Sequence, residues 1–192
     1  MVVLTKTRYT PEEYLALEEQ AEQKSEYYNG EIFAMAGGSV NHNRITRNVV
    51  TTLAPLLAAK PCEAFASDMR LLVEKKGLYT YPDVMVVCGK LEFVAGRNDT
   101  LTNPILIVEV LSESTREYDR TTKFRFYRRI PTLLEYVMID QARVYIECFR
   151  RTESDLWIFE SYDQLEDQLK LRSLELEIPL TLIYNQVEWQ DK

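Results

Sequence analysis

The sequence predicts a mixed α/β fold of the α+β type, in which a mostly antiparallel sheet is flanked by helices. Short strand-like runs outnumber helical segments, and the apolar, β-branched run 105–111 is typical of a fully buried strand. The 192 residues fit one domain, and no composition shift marks a boundary within 1–192. We therefore expect a single domain that begins with a helix and a hairpin over about residues 10–36.

A helix and a hairpin are predicted at the amino-terminal end. Thr10 can cap the helix, Pro11 suits its first position, and Glu13 stands where the acid of a capping box would lie. The helix is expected to end at about Gln23. Strand-like residues then flank Asn29-Gly30, a dipeptide typical of a two-residue hairpin turn.

The middle of the chain predicts a second helix and two strands. Ser39 can cap a helix whose apolar positions recur at helical spacing, and Pro55 should kink this helix or start a separate last turn. Strands are expected at 64–74 and 78–87, joined by a turn at 75–77. The buried strand at 105–111 follows after a polar loop.

The remainder predicts a third helix and a terminal meander. Ser114 and Glu117 have the spacing of a capping box, so this helix is expected to start there and to stop before Pro131. The tail 169–184 is expected to add a strand and a helical turn. The strands of the meander are predicted at 133–139, 144–150 and 156–162.

The composition excludes several classes of protein. The net charge is −7 and the pI is about 4.9, which excludes a wholly basic nucleic-acid coat because phosphates are neutralised by Lys and Arg. A single histidine argues against a His-rich metal site and against a Ser-His-Asp triad. No apolar run reaches the ~20 residues that span a bilayer.

The cysteines and the amino terminus predict the compartment. Cys62, Cys88 and Cys148 are far apart and show no CxxC spacing, so we expect reduced, mostly buried thiols. Residues 1–6 contain no basic stretch followed by an apolar core, so no signal peptide is indicated. The expectation is a cytoplasmic protein with no membrane association.

Two acidic residues stand next to apolar strands. Glu109 interrupts the apolar run, and a carboxylate buried there costs several kcal/mol unless a cation, a partner or a proton compensates it. Asp83 follows Pro82 at the entrance of another apolar strand. The simpler interpretations are a solvent-facing or ion-paired Glu109 and a turn residue at Asp83.

Lys123 lies at the boundary between a polar and an apolar part of the third helix. On a wheel of about 100° per residue, Arg116, Asp119 and Arg120 lie near it on earlier turns, and apolar residues lie near it on later turns. The simpler interpretation is a lysine whose stem passes an apolar face. The functional interpretation is an ammonium group aimed into a site just beyond Glu109.

Asp83, Glu109 and Lys123 together suit hydrolysis of a nucleic-acid backbone. Two carboxylates can hold Mg²⁺ or Mn²⁺, and such an ion polarises a phosphodiester and lowers the pKa of a bound water. A nearby ammonium can orient that water and stabilise negative charge in the transition state. No organic cofactor is expected.

Several ordered blocks of the sequence resemble the PD-(D/E)xK nuclease superfamily and, within it, the Uma family of restriction-endonuclease-like proteins, earlier catalogued as a domain of unknown function. The resemblance covers nearly the whole chain and implies a restriction-endonuclease-like core, a divalent-metal site and DNA as the substrate. The blocks are Tyr9–Tyr14, Asn29–Glu31, Tyr81–Val84, Asn103–Ser112, Tyr118–Arg120, Lys123-Phe124 and Tyr127–Pro131.

The resemblance also implies roles for single residues. Asp83 matches the Asp of the motif and Glu109 its second acid, so both would bind Mg²⁺ or Mn²⁺. Leu111 stands where the parent motif has its Lys, and the Lys on the following helix would be Lys123. Glu26 resembles the amino-terminal acid that joins such metal sites.

Four further residues are candidates for phosphate contact or for the surroundings of the site. A structural polar role is the simpler interpretation for a lone histidine. The four candidates are His42, Arg116, Asp119 and Arg120.

Two functional hypotheses stay open at this stage. The first is a metal-dependent DNA endonuclease, expected as a homodimer because cutting two strands usually needs two sites. The second is a catalytically inactive nuclease-fold module that binds nucleic acid or has a structural role. The acidic composition and Leu111 favour the second hypothesis.

The negative charge is unevenly distributed. Residues 115–129 hold six basic and two acidic residues, a local sum of +4 that leaves −11 for the rest of the chain. Among the basic residues, Arg125, Arg128 and Arg129 are predicted on the solvent side. A basic helix beside an acidic metal cleft therefore remains compatible with the net charge, and it predicts weak, salt-sensitive DNA binding without metal.

Overall fold

The computed structural model describes residues 8–189. Residues 1–6, which carried the signal-peptide expectation, lie outside that range, and the single domain over 1–192 stays a prediction. The helices are α1 Pro11–Glu18, α2 Val40–Leu57, α3 Arg116–Tyr118, α4 Phe124–Tyr127 and α5 Leu180–Ile183, with a 3₁₀ turn Glu74–Lys76 and a π-helical segment Asp119–Lys123. The strands are β1 Ser25–Tyr28, β2 Glu31–Ala34, β3 Cys62–Ala66, β4 Arg70–Val73, β5 Leu78–Thr80, β6 Val84–Cys88, β7 Thr100–Leu101, β8 Leu106–Leu111, β9 Glu135–Asp140, β10 Ile146–Arg151, β11 Trp157–Tyr162, β12 Gln168–Leu171 and β13 Leu176–Pro179.

The strands of the described range form three sheets. A six-stranded sheet has the order β11-β10-β9-β8-β6-β3, a five-stranded sheet has the order β2-β1-β5-β4-β7, and β12 pairs with β13. The pairs β8–β9 and β4–β7 are parallel and the other strand pairs are antiparallel. The predicted fold class, a mostly antiparallel sheet flanked by helices, is confirmed. None of the described helices is long and apolar enough to cross a membrane.

Strand β8 separates two apolar cores. Val108 and Val110 belong to the core beneath α2 and the carboxyl-terminal hairpin, whereas Ile107 and Leu111 belong to the core beneath α4. Side chains alternate between the two faces of a strand, so Glu109 points to the α4 side. The buried strand predicted from the sequence is therefore central, and its one acid faces the helix that carries Lys123.

The amino-terminal elements follow the predicted local signals. Thr10 and Glu13 form the capping box, with the backbone N–H of Thr10 donating to the Glu13 carboxylate at 2.8 Å, although α1 ends at Glu18 and not at about residue 23. Asn29 and Gly30 both have positive φ, at 50° and 88°, as the tight hairpin turn requires. Ser39 caps α2, which continues through Pro55 to Leu57.

Each of the long strands predicted at 64–74 and 78–87 is in fact two strands that lie in different sheets. The chain leaves the six-stranded sheet after β3, forms β4 and β5 in the five-stranded sheet, and returns as β6. Pro82 has no N–H to donate to a ladder, so the pairing breaks there. This break places Asp83 where the chain re-enters the six-stranded sheet.

The capping box predicted at Ser114 and Glu117 is wrong. The side chains of Ser112 and Thr115 close the turn instead, since each hydroxyl accepts the other residue's backbone N–H, at 3.2 Å and 3.3 Å. The helical stretch begins at Arg116, passes through the π-helical segment and ends at Tyr127, before Pro131 as predicted. The terminal meander β9–β10–β11 is confirmed, and the tail holds two strands and α5.

The expectation of three reduced thiols is wrong for two of them. Cys62 and Cys88 face each other in the β3–β6 ladder, with Cα atoms 4.0 Å apart, and form a disulfide. Cys148 is a free, buried thiol, and burial raises its pKa to about 12. Composition and spacing could not reveal the pair, because it depends on the register of two strands.

Loss of this disulfide is expected to lower the free energy of unfolding by about 2–4 kcal/mol, because the unfolded chain gains conformational freedom. Chemical denaturation of Cys88→Ser, compared with Cys148→Ser at matched conditions, measures the effect. Alkylation of the air-oxidised, denatured protein should modify one thiol before reduction and three after it. Modification of all three without reductant would contradict the assignment.

Candidate active site

A buried lysine lies among three carboxylates at the centre of the candidate site. The ammonium of Lys123 is 3.1 Å from Glu109 Oε1, 3.3 Å from Glu26 Oε1 and 3.4 Å from Asp119 Oδ1. Lys123, Glu109 and Asp119 are buried, and 12% of the Glu26 side chain is exposed. Three negative groups therefore share one positive group in a place with little water. We call these four residues the lysine cluster.

Three different parts of the fold supply the lysine cluster. Glu109 comes from β8, Glu26 from β1, and Asp119 and Lys123 from the two ends of the π-helical segment. The segment is a local widening of the helix, a feature that occurs often at functional sites. The cluster thus joins the five-stranded sheet to the six-stranded sheet through the helix between them.

Two hydroxyl groups complete the hydrogen bonding of the cluster. The hydroxyl of Tyr127 donates to Glu109 Oε1 at 2.7 Å, and the hydroxyl of Thr80 donates to Glu26 Oε1 in a short hydrogen bond. Sequence reasoning missed both. Tyr127 follows Lys123 by four residues, so its position on the same helix face was visible, but it was interpreted as part of the apolar end.

Asp83 lies beside the cluster and is held by two other groups. The backbone N–H of Val110 donates to Asp83 Oδ2 at 2.7 Å, which fixes this carboxylate next to the residue that follows Glu109. His42 Nε2 lies 3.0 Å from Asp83 Oδ1. His42, the lone histidine considered for the site, therefore contacts one of the two acids expected to bind metal.

The approach of His42 depends on Gly38. A Cβ atom at position 38 would lie 2.6 Å from the Cδ2 atom of the His42 ring, closer than any ordinary contact. Ser39 caps α2 and accepts the backbone N–H of His42, which fixes the first turn of the helix. The glycine and the cap together allow the ring to lie against Asp83.

Burial and neighbouring charges shift the pKa values of the site. Burial raises the pKa of Glu109, Lys123 opposes this effect, and Asp83 and Asp119 add to it. The pKa of Lys123 is well above its usual value, because the carboxylates around it outweigh the effect of burial. Burial lowers the pKa of His42, but the hydrogen bond and charge of Asp83 outweigh it and raise the pKa above 6.5.

A second, partly buried network fixes the segments that precede Glu26 and Asp83. The carboxylate of Glu18 accepts the backbone N–H of Ser25 at 2.9 Å and the hydroxyl of Tyr81 at 2.9 Å. Arg70 donates to the same Tyr81 hydroxyl at 2.8 Å and is itself buried. Since Ser25 precedes Glu26 and Tyr81 lies two residues before Asp83, the network holds both acids in place.

Two predicted residues lie outside the lysine cluster. Arg116 forms an ion pair with Asp140 at 2.9 Å, and Arg120 forms one with Glu147 at 2.8 Å. Their suggested contact with phosphate therefore stays a prediction. The structure brings Glu26, Glu109, Asp119 and Lys123 together and pairs Asp83 with His42.

The family model described as "Putative restriction endonuclease", Uma2, matches residues 11–182. This match covers most of the chain, including all four residues of the lysine cluster. The chain belongs to the Uma2 family. The resemblance found in the sequence is thereby confirmed at the level of the family.

Two proteins of Synechocystis sp. are relatives of this Uma2 chain. The chain is 44% identical to the uncharacterized protein sll1609 over 158 residues, which are 82% of this chain and 89% of that protein. It is 37% identical to slr1290, an uncharacterized protein of the same organism, over 179 residues, which are 92% of each chain. Both relatives cover most of this chain.

A solved structure supports the fold of the Uma2 chain. The crystal structure of "a putative nuclease belonging to DUF820" from Anabaena variabilis superposes with a TM-score of 0.77 at 18% identity. The superposition covers 94% of this chain and 99% of that one. At this level of identity the likeness shows a shared fold.

The single histidine allows a direct test of the Asp83 contact. In an NMR titration, the imidazole of His42 should show a pKa above 6.5, and Asp83→Asn should lower it, because burial then acts without the opposing charge. The stability from this pair is fully present below pH 6.5 and is lost as the pH rises through the raised pKa. Asp68→Asn, an exposed acid paired with Lys24, is the control. An unchanged pKa in Asp83→Asn would contradict the contact.

Proposed function

We propose that this Uma2 protein is an endonuclease that hydrolyses DNA phosphodiester bonds with the help of a divalent metal ion. The observation that carries the proposal is the approach of Lys123 to Glu109 and Glu26, beside Asp83. Membership in a family described as restriction endonucleases supports a nucleic-acid substrate. The description of the Anabaena protein as a "putative nuclease" supports it as well.

The donor atoms of the site suit Mg²⁺ or Mn²⁺, and we propose Asp83 and Glu109 as the ligands. Both are hard oxygen donors, and excess negative charge beside them favours a cation. No group of three or more His, Cys, Asp or Glu side chains within residues 8–189 is arranged to hold a metal ion. Mg²⁺ commonly uses one or two carboxylates and takes its other ligands from water and substrate phosphates, so the two acids fit.

A bound metal ion would supply Lewis-acid activation of the phosphodiester and of a water molecule. The residues of the chain supply positioning and charge. Lys123 stays protonated because its pKa is raised, so its role is to donate hydrogen bonds and to stabilise negative charge, and it does not serve as a base. Glu26, Asp119 and Tyr127 orient Lys123 and Glu109 before substrate arrives.

Strand β8 has no lysine, and the lysine that contacts Glu109 comes from the helical stretch instead. Leu111 is buried in the apolar core beneath α4, where it packs with its neighbours. Lys123 reaches Glu109 from the helical side. An inactive module in which Lys123 points away from both acids would not show these contacts, so they support the catalytic hypothesis. The homodimer stays a prediction, which sedimentation velocity would measure.

Glu109→Gln is expected to lower DNA cleavage by at least about 10³-fold, because it removes a ligand charge while keeping the side-chain shape. The assay uses Mg²⁺ or Mn²⁺ with supercoiled plasmid, linear duplex, single-stranded and branched DNA, and RNA. Glu177→Gln makes the same change at an exposed position of β13 and should leave cleavage unchanged. Cleavage that survives in Glu109→Gln would show contamination or a different site.

Glu109→Gln is also expected to raise the melting temperature of the metal-free protein by a few degrees, since two carboxylates still compensate Lys123 and one buried charge is gone. Added Mn²⁺ should stabilise the wild type and neither Glu109→Gln nor Asp83→Asn. Calorimetric unfolding with and without Mn²⁺ measures both effects. Equal stabilisation of all three proteins by Mn²⁺ would contradict the ligand assignment.

A further inference from the structure

Half of the basic residues counted in 115–129 are engaged inside the protein. Arg116 pairs with Asp140, Arg120 pairs with Glu147, and Lys123 is enclosed by the carboxylates of its cluster. Their charges are therefore compensated before any partner arrives. The exposed basic residues that remain in this stretch are Arg125, Arg128 and Arg129.

Two lysines from a distant part of the sequence join these arginines. Lys75 and Lys76 lie in the 3₁₀ turn between β4 and β5. The ammonium of Lys76 is 5.9 Å from the centre of the Phe126 ring, and the guanidinium of Arg125 is 5.8 Å from the same ring. Both cations therefore lie around one buried aromatic side chain.

The other end of this surface is marked by Asp155. Its carboxylate pairs with Arg151, and its pKa is lowered by that hydrogen bond and also by the charges of Arg129 and Lys75. The 3₁₀ turn and the segment that follows α4 therefore face the same region. We call the five exposed residues Lys75, Lys76, Arg125, Arg128 and Arg129 the basic face.

The charge of the basic face is largely uncompensated. None of its five side chains forms an ion pair within residues 8–189, Glu74 is the acid of the same 3₁₀ turn, and Asp155 is already paired with Arg151. The whole chain carries −7, so this concentration of positive charge runs against the overall composition. Such a surface attracts a polyanion.

The basic face lies on the outward side of the helical stretch that carries Lys123. Arg125 follows Lys123 by two residues, which is about 3 Å along a helix and about 200° around it, so one side chain is exposed while the other is buried in the cluster. The Phe126 ring packs at 4.8 Å on Tyr28, which lies two residues after Glu26 on β1. A duplex carries one phosphate charge per about 1.7 Å of its axis, so a duplex that spans the site and this surface would offer several phosphates to the five cations.

We propose that the basic face binds the phosphate backbone of DNA beside the bond that is cleaved at the lysine cluster. This inference rests on the proposed function and adds the surface that holds the substrate. Guanidinium and ammonium groups bind phosphate without reading sequence, so the face supplies affinity and position. Phe126 and Tyr127, which lie between Arg125 and Arg128 in the sequence, are buried, and a membrane-binding surface would need exposed apolar side chains among these cations.

Fluorescence anisotropy with a labelled duplex in EDTA tests the inference without cleavage. Lys75→Gln/Lys76→Gln and Arg125→Gln/Arg129→Gln should each weaken binding and reduce the slope of log affinity against log salt by about 1.8, the value for two lost phosphate contacts. The control Lys60→Gln/Lys170→Gln removes the same charge beside the core on the other face of the six-stranded sheet. It should leave the slope within a few tenths of that of the wild type.

The outcomes separate this inference from the proposed function. Equal slopes for the wild type and both pairs would overturn the basic face as a binding surface, even if Glu109→Gln abolishes cleavage. No DNA binding by the wild type would overturn it as well. The face would be assigned to a membrane instead if the wild type bound phosphatidylserine vesicles and not DNA, and if both double variants lost the vesicle binding. Reduced slopes with no cleavage by the wild type would support the face and reject the nuclease.

Discussion

The contact between the Lys123 ammonium and its three carboxylates is the interaction on which the rest of the site depends. Removing Lys123 would leave three largely buried carboxylates without their cation, and the loss of one partner of a buried ion pair costs about 3–5 kcal/mol when the other charge stays uncompensated. The partners come from β1, β8 and the π-helical segment, so the network also determines how the two larger sheets meet. The fold is therefore organised around a polar centre on the α4 side of β8, next to the apolar core beneath α4.

This centre carries more negative charge than its own cation can compensate. With Asp83 alongside, four carboxylates lie near one ammonium, and the pKa of Glu109 is raised although Lys123 touches it. A protein selected only for stability would replace one of these acids. Proteins commonly accept such local instability at functional sites, where a ligand supplies the missing charge. The excess negative charge is thus a physical reason to expect that the site binds a cation, in addition to any structural role of the cluster.

The sequence revealed the acids and the lysine because a charge in an apolar pattern is visible locally. Glu109 interrupts a run of Ile, Leu and Val, and Lys123 lies where a helix face changes character. The Tyr127 hydroxyl and the Cys62–Cys88 pair were not recognised, because their partners are set by strand register and helix packing. The break at Pro82 was readable in principle, since proline interrupts a ladder, but apolar residues on both sides favoured one long strand.

A count of charges along the sequence is limited in the same way, because it does not show which charges are already paired. The sum of +4 over residues 115–129 is a property of the sequence, but its meaning depends on which charges are already paired. The structure divides that helical stretch into inward cations, bound to Asp140, Glu147 and the cluster, and outward cations, which join Lys75 and Lys76. One short helical stretch therefore holds Lys123 among the carboxylates and presents a separate set of cations to solvent. For the proposed DNA substrate this division is needed, because the overall negative field of the chain repels a polyanion.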